Sequence, residues 1–161
     1  MPFYMEHSGF EEIEKKLNEL SDRASGIASL GLYEGAGVMA DEVTRQAAAI
    51  KSEKFHYAVF PEATNRLPSP EEVAIIQNAC GIAKFRKGGN GVDTSVGFSN
   101  AGYAMLKGKR KPIPLIANAI NSGTSFMRKQ PFFRKAVTIA TPKAKAAIIE
   151  KIEAEIDAMN K

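Results

Sequence analysis

Apolar residues recur along this chain with two different periods, and the switches between them mark its elements. Phe10, Ile13, Leu17, Leu20, Ala24 and Ile27 follow one another at steps of 3-4-3-4-3, with Glu11, Glu12, Glu14, Lys15 and Lys16 mostly outside the stripe. That spacing lines one face of an α-helix. Ser8 and Glu11 stand at capping-box spacing, so residues 1–8 read as a loose lead-in, and Ser25-Gly26 predicts the helix end. A second stripe, Leu32, Ala36, Met39, Val43, Ala47 and Ile50, continues at helical steps to about residue 52. Gly31, Gly35 and Gly37 each cost roughly 1 kcal/mol relative to Ala in a helix interior. They predict a start near Gly35, or a close approach of this backbone to a sheet or a neighbouring subunit.

The period then changes to two. Phe55, Tyr57 and Val59 alternate with His56 and Ala58 as a short strand, and prolines punctuate a surface loop over 61–70. Ser69-Pro70-Glu71-Glu72 opens a short helix through Val73 and Ile76. Residues 81–87 and 92–98 are the clearest strands. In the second, Val92, Thr94, Val96 and Phe98 alternate with Asp93, Ser95 and Gly97, and Gly88-Gly-Asn-Gly91 between the strands is hairpin chemistry. Residues 99–112 read as a protruding loop that carries Lys107, Lys109, Arg110 and Lys111. Helical spacing returns at Ile113, Ile116 and Ile120, and Gly123 follows where a helix end favours an αL residue. A basic, flexible connector leads to Gln130-Pro131, which opens a further helix with Phe132, Phe133, Ala136 and Val137 as its apolar patch. Thr141-Pro142 opens the last helix, striped by Ala144, Ile148, Ile152 and Ile156. The fold class expected is α+β: amphipathic helices packed on a small antiparallel sheet built around a β-hairpin, in one domain over 1–161.

Composition narrows what such a domain does. A chain of 161 residues buries about 70% of its unfolded surface, enough for one core. It has no run of 18 apolar residues and no signal-peptide arrangement, so neither a membrane span nor a secretory leader is expected. Cys80 is the sole cysteine, which excludes an intrachain disulfide and a cysteine-rich zinc site. His7 and His56 are too few and too poorly spaced for a metal, and Ser95 lies in a strand, not a nucleophile elbow. No catalytic, cofactor or metal residue is expected. The net charge of +4 is mild and the charges are interspersed. That favours solubility and is weak evidence for nucleic acid.

Two blocks carry a family resemblance. Gly123-Thr124-Ser125, a short polar gap, then Gln130-Pro131-Phe132-Phe133-Arg134-Lys135-Ala136 resembles the closing signature of the tail-completion, or minor tail, proteins of long-tailed bacteriophages and prophages. Ser95-Val-Gly-Phe98 with Gly102-Tyr103 resembles the segment ahead of that signature. Together the blocks span about residues 80–160; the N-terminal half agrees only in helical character. Asn121-Ser122 stands where many relatives carry an acidic residue. The resemblance implies a structural role at the head–tail junction of the virion, after assembly in the bacterial host cytoplasm. It implies a homo-oligomeric ring, often a hexamer, that meets tail-tube and head-connector proteins. Gly123, Thr124, Ser125, Phe126, Met127, Pro131, Phe132 and Phe133 are then the candidate assembly interface. Another reading makes the protein a nucleic-acid-binding module using Lys107, Lys109, Arg110 and Lys111. Only weak, sequence-independent DNA contact is expected from those four residues.

Overall fold

The computed structural model describes residues 8–54, 66–88, 91–98 and 101–159, and of residues 8–12 and 88 the backbone alone. The fold is α+β, with about 63% of the described residues in helix and 15% in strand. Its spine is α1, Ser8–Ala48, which runs antiparallel to α4, Phe132–Met159. The break expected at Ser25-Gly26 does not occur: the helix runs on through Gly26, which meets nothing within 4 Å, to Gly31 and Gly35, which face α4. A Cβ at Gly31 would lie 2.7 Å from Ile152 Cγ1, and one at Gly35 would lie 2.5 Å from Ile148 Cγ1. Ala136, Ala140 and Ala144 are buried on α4. Small residues on both helices let the backbones close up, and packing outweighs the local propensity.

The helix expected to open at Thr141 instead opens at Phe132 and continues through Pro142. Proline interrupts a helix by leaving the carbonyl four residues back without a donor. Here that residue is Thr138, and both it and Pro142 are exposed, so water can serve the carbonyl. The 3-4 stripe of α1 is helical as expected, yet Ile13, Leu17 and Leu20 stay exposed. The expected Ser8–Glu11 cap falls among side chains outside the description. The 55–59 alternation and both histidines also lie outside the described residues.

The long hairpin of 81–98 forms, with a one-residue shift. β1, Gly81–Ile82, pairs with β4, Val96–Gly97, while β2, Arg86–Gly88, pairs with β3, Gly91–Asp93, all antiparallel. Gly81 faces Gly97 but Arg86 faces Asp93, so the first strand holds one extra residue, a bulge. Thr94 Oγ1 closes the gap by donating to the Ala83 carbonyl at 2.8 Å. Residues 99–112 contain a second hairpin instead of the expected loop: β5, Tyr103–Leu106, against β6, Lys109–Pro112. Its turn uses Lys107 at φ 51° and Gly108 at φ 73°, the positive pair that a two-residue hairpin turn requires.

α2, Pro70–Gln77, starts where Ser69-Pro70-Glu71-Glu72 predicts, and Ser69 and Glu72 there form a full capping box. α3, Ile113–Ser122, runs through the core and buries Ile113, Ile116, Ala117 and Ile120. Around it gather Val43, Ala47 and Ile50 of α1, Val73 and Ile76 of α2, Leu106 and Phe98. Phe98 lies 6.0 Å, centroid to centroid, from both Phe132 and Phe133. The cysteine expected to pack as a small hydrophobe does so: Cys80 is half-buried against this core, and burial pushes its thiol pKa up.

The helix seam makes the glycines of α1 unequal. A Cβ at Gly37 meets nothing within 4 Å, so Gly37→Ala should stabilise by about 0.5–1 kcal/mol through helix propensity alone. Gly35→Ala should destabilise by about 1–2 kcal/mol net, because the overpacking cost exceeds that gain. Urea unfolding of the two variants measures the difference, which should have opposite signs.

Candidate functional site

The Gly-Thr-Ser…Gln-Pro-Phe-Phe stretch folds as a tight joint between α3 and α4. Gly123 ends α3 with its N–H on the Ala119 carbonyl at 2.9 Å and takes φ 78°. A side chain there would put Cβ 2.9 Å from Lys129 Cβ and 3.1 Å from the Met127 carbonyl oxygen, so only glycine fits. Thr124 Oγ1 accepts the N–H groups of Phe126 (3.2 Å) and Met127 (3.0 Å), while the Thr124 N–H donates back to the Met127 carbonyl. The Gln130 N–H donates to the Ile120 carbonyl at 2.8 Å, satisfying one of the open carbonyls at the end of α3. Its side-chain amide grips both backbone groups of Lys51, accepting from N and donating to O at 2.9 and 2.8 Å. Asn121 Oδ1 accepts the Phe133 N–H, so this amide caps the start of α4. The connector expected to be flexible is instead hydrogen-bonded along its length.

Of the predicted interface residues, Met127, Phe132 and most of Phe133 pack inward, while Ser125, Pro131 and Phe126 lie at the surface. Phe126 is 65% exposed on this joint. Beside it a groove of about 570 Å³ is edged by Lys51, Arg128, Lys129 and Lys135.

One residue that the sequence reading passed over ties this joint to the basic hairpin. Arg66 lies beside Met127 in a parallel bridge, donating its N–H to the Phe126 carbonyl and accepting from the Arg128 N–H. Its guanidinium holds the Glu72 carboxylate through two hydrogen bonds, at 3.0 and 3.2 Å. Burial pushes the Glu72 pKa up, but the bonds from Arg66 and the Ser69 N–H, with Lys111 nearby, prevail and hold it below 4.5. Lys109 and Lys111 rim the groove that this pair floors. The only available signal was an arginine placed just before Pro68 in a proline-rich loop; its partners lie too far along the chain to be read. Arg110 stacks over Tyr103, 4.1 Å from the ring centroid.

Among the described residues no group of three His, Cys, Asp or Glu is placed to hold a metal ion. No described helix is long and apolar enough to cross a membrane. Comparison with protein-family models, curated proteins and solved structures finds no match.

Two predictions follow the joint's geometry. Gly123→Ala should cost about 2–4 kcal/mol, adding a backbone clash to the strain of φ 78° with ψ 169°, a region that is essentially glycine's alone, whereas the exposed Phe126→Ala should stay within about 0.5 kcal/mol. Chemical denaturation of both proteins separates a positional requirement from an exposed anchor. The folded Glu72 carboxyl titrates below its unfolded value, so its stabilisation is present above about pH 4.5 and is lost as pH falls through the folded pKa. Glu72→Gln should therefore flatten the acid limb of a stability–pH curve; an unchanged slope would remove this pair from acid unfolding.

Proposed function

We propose that this protein is a structural part of a bacteriophage or prophage particle, seated at the head–tail junction, where it completes the tail and joins it to the head connector. The observation that carries the reading is the ordered signature itself, Ser95-Val-Gly-Phe98, Gly102-Tyr103, Gly123-Thr-Ser and Gln130-Pro-Phe-Phe. Phe98 and the residues of the last two blocks converge on one joint, while Tyr103 lies outward on β5. Phe98 packs on Phe132 and Phe133, and Gly123, Thr124 and Gln130 lock the turn that carries Phe126 outward. An exposed aromatic on a rigid turn suits a protein held by its neighbours, since such anchors lose little entropy on contact. The reading makes the protein a non-enzymatic component without a cofactor. It assembles with itself and with tail-tube and head-connector proteins in the host cytoplasm, then stays in the virion neck.

A nucleic-acid-binding role is the rival, favoured by the exposed cations of the β5–β6 hairpin. Four phosphate contacts would lower affinity about 10²-fold between 50 and 200 mM salt. The virion reading expects weak duplex binding that disappears near physiological salt, because tight binding would slow DNA passing the junction.

Co-expression with the tail-tube and head-connector proteins of the same particle tests the choice. The protein should co-purify with the tail tube, and Phe126→Asp should weaken that association at least about tenfold, as loss of a central aromatic anchor does. The reading fails if neither partner is retained. It fails equally if sub-micromolar duplex binding at about 150 mM salt disappears when Lys107, Lys109, Arg110 and Lys111 become Ser.

A further inference from the structure

Charge in this protein is segregated in space, although it looks interspersed along short stretches of chain. Residues 101–145 hold ten Lys and Arg and no Asp or Glu, whereas 8–39 and 146–159, the far parts of α1 and α4, hold ten Asp and Glu against four Lys and Arg. The cations of the basic part differ in what surrounds them. Arg110 lies over Tyr103, and Lys109 and Lys111 rim the groove of the Arg66–Glu72 pair.

At the joint the cations meet no carboxylate. Lys51, Arg128, Lys129 and Lys135 line the groove of about 570 Å³ there, and all four are exposed. Among the described residues none of the four forms an ion pair, and no Asp or Glu lines the groove. The carboxylates bonded to its lining residues are engaged: Glu42 accepts from Arg45 and Gln46, and Glu53 takes the Leu67 N–H at 2.9 Å. Lys135 also stands in the first turn of α4, which carries no acidic residue although the helix dipole favours anions there. Like charges collected at such a place repel one another until an anion joins them.

The groove is more than a charged surface. Its lining includes Ile50, Leu67 and Phe132, with Ile50 and Phe132 only 8% and 4% exposed, so cations rim an apolar floor. The rim is also held in place before anything binds. The Gln130 amide fixes both backbone groups of Lys51, and the Arg128 N–H donates to the Arg66 carbonyl. Carboxylates complement such a rim, and apolar side chains between them complement the floor. A nucleic-acid strand would satisfy the rim alone, because its bases need aromatic faces to stack on and Phe132 presents none.

We propose that this groove receives an acidic segment of a neighbouring protein that also carries apolar side chains. Its carboxylates meet Lys51, Arg128, Lys129 and Lys135, and its apolar side chains cover Ile50, Leu67 and Phe132. Charge draws the segment in, and apolar burial holds it. The inference supplies the chemistry of one neighbour in the reading above and rests on that reading for there being such a neighbour. Phe126, through which that reading is tested, does not line the groove.

The test uses the whole chain and a fluorescein-labelled peptide, Asp-Glu-Leu-Asp-Phe-Glu-Asp, with binding followed by fluorescence anisotropy at low ionic strength. The native protein should bind it, and the affinity should fall as salt rises. Lys51→Glu with Lys135→Glu should weaken binding at least about tenfold, and so should Arg128→Gln with Lys129→Gln. The first pair places an anion at the start of α4, so that variant should unfold at no lower urea concentration than the native chain. Changing Lys107, Lys109, Arg110 and Lys111 to Ser should leave peptide binding within about twofold. A peptide with Ser in place of its Leu and Phe should bind at least about tenfold more weakly.

Failure of the native protein to bind the peptide overturns the proposal, and so does binding that survives either pair of groove substitutions. Equal binding of the Ser-containing peptide makes the groove a charged surface only, and tighter binding of an oligodeoxynucleotide of equal charge makes it a nucleic-acid face; either overturns the proposal as well. A protein that binds the peptide yet retains neither tail-tube nor connector protein loses the junction reading and keeps the groove. The reverse result loses the groove alone.

Discussion

The close contact of α1 with α4 is the constraint on which the other elements depend. A helix containing Gly26, Gly31, Gly35 and Gly37 has little reason to stay intact in isolation, since each glycine costs about 1 kcal/mol. Two of them are where the Ile148 and Ile152 side chains sit, so the cost is offset by burial that larger residues would prevent. With α1 held straight, the 81–98 hairpin has a surface to lie across, and α3 can pass beneath α2 into the centre. The core is then dense around Ile76 and Ile120, both without solvent exposure, and thins toward the far ends of the two long helices.

The joint after α3 depends on the same spine. Gln130 is useful because Lys51, at the exit of α1, offers it two backbone groups; moving α1 would remove both. Arg66 is useful because it fills the open edge of 126–128 while its side chain reaches Glu72. The turn is thus fixed from two sides by residues 60 to 80 positions earlier in the chain. That is why a stretch with glycine, serine and three successive basic or polar residues is ordered.

What could be read from sequence was what neighbours a few residues apart decide. Helical stripes, the helix start at Ser69-Pro70, the Gly123 stop, the inward face of Val92 to Phe98 and the mixed fold class all have local causes, and all are present. The errors have non-local causes. Gly31 and Gly35 argued for a late helix start because α4 was not in view, and Pro142 looked like a helix start because the exposed setting of Thr138 and Pro142 cannot be read from spacing. The 99–112 loop became a hairpin because Lys107 accepts a positive φ beside Gly108 and because Leu106 has a core to enter. The basic run hid the alternation of Tyr103 and Met105 against Ala104 and Leu106.

Ile13, Leu17 and Leu20 show where local reading stops in another sense. Their spacing is as regular as that of Ala36, Val43 and Ala47, and it builds the same kind of helix face. Periodicity specifies that a face exists; only the length of α4 decides how much of it is covered within one copy. A net charge of +4 is similarly silent about a chain whose ends have opposite signs. The field that a neighbour meets depends on that separation and not on the sum, because it is felt only within about a Debye length of each surface.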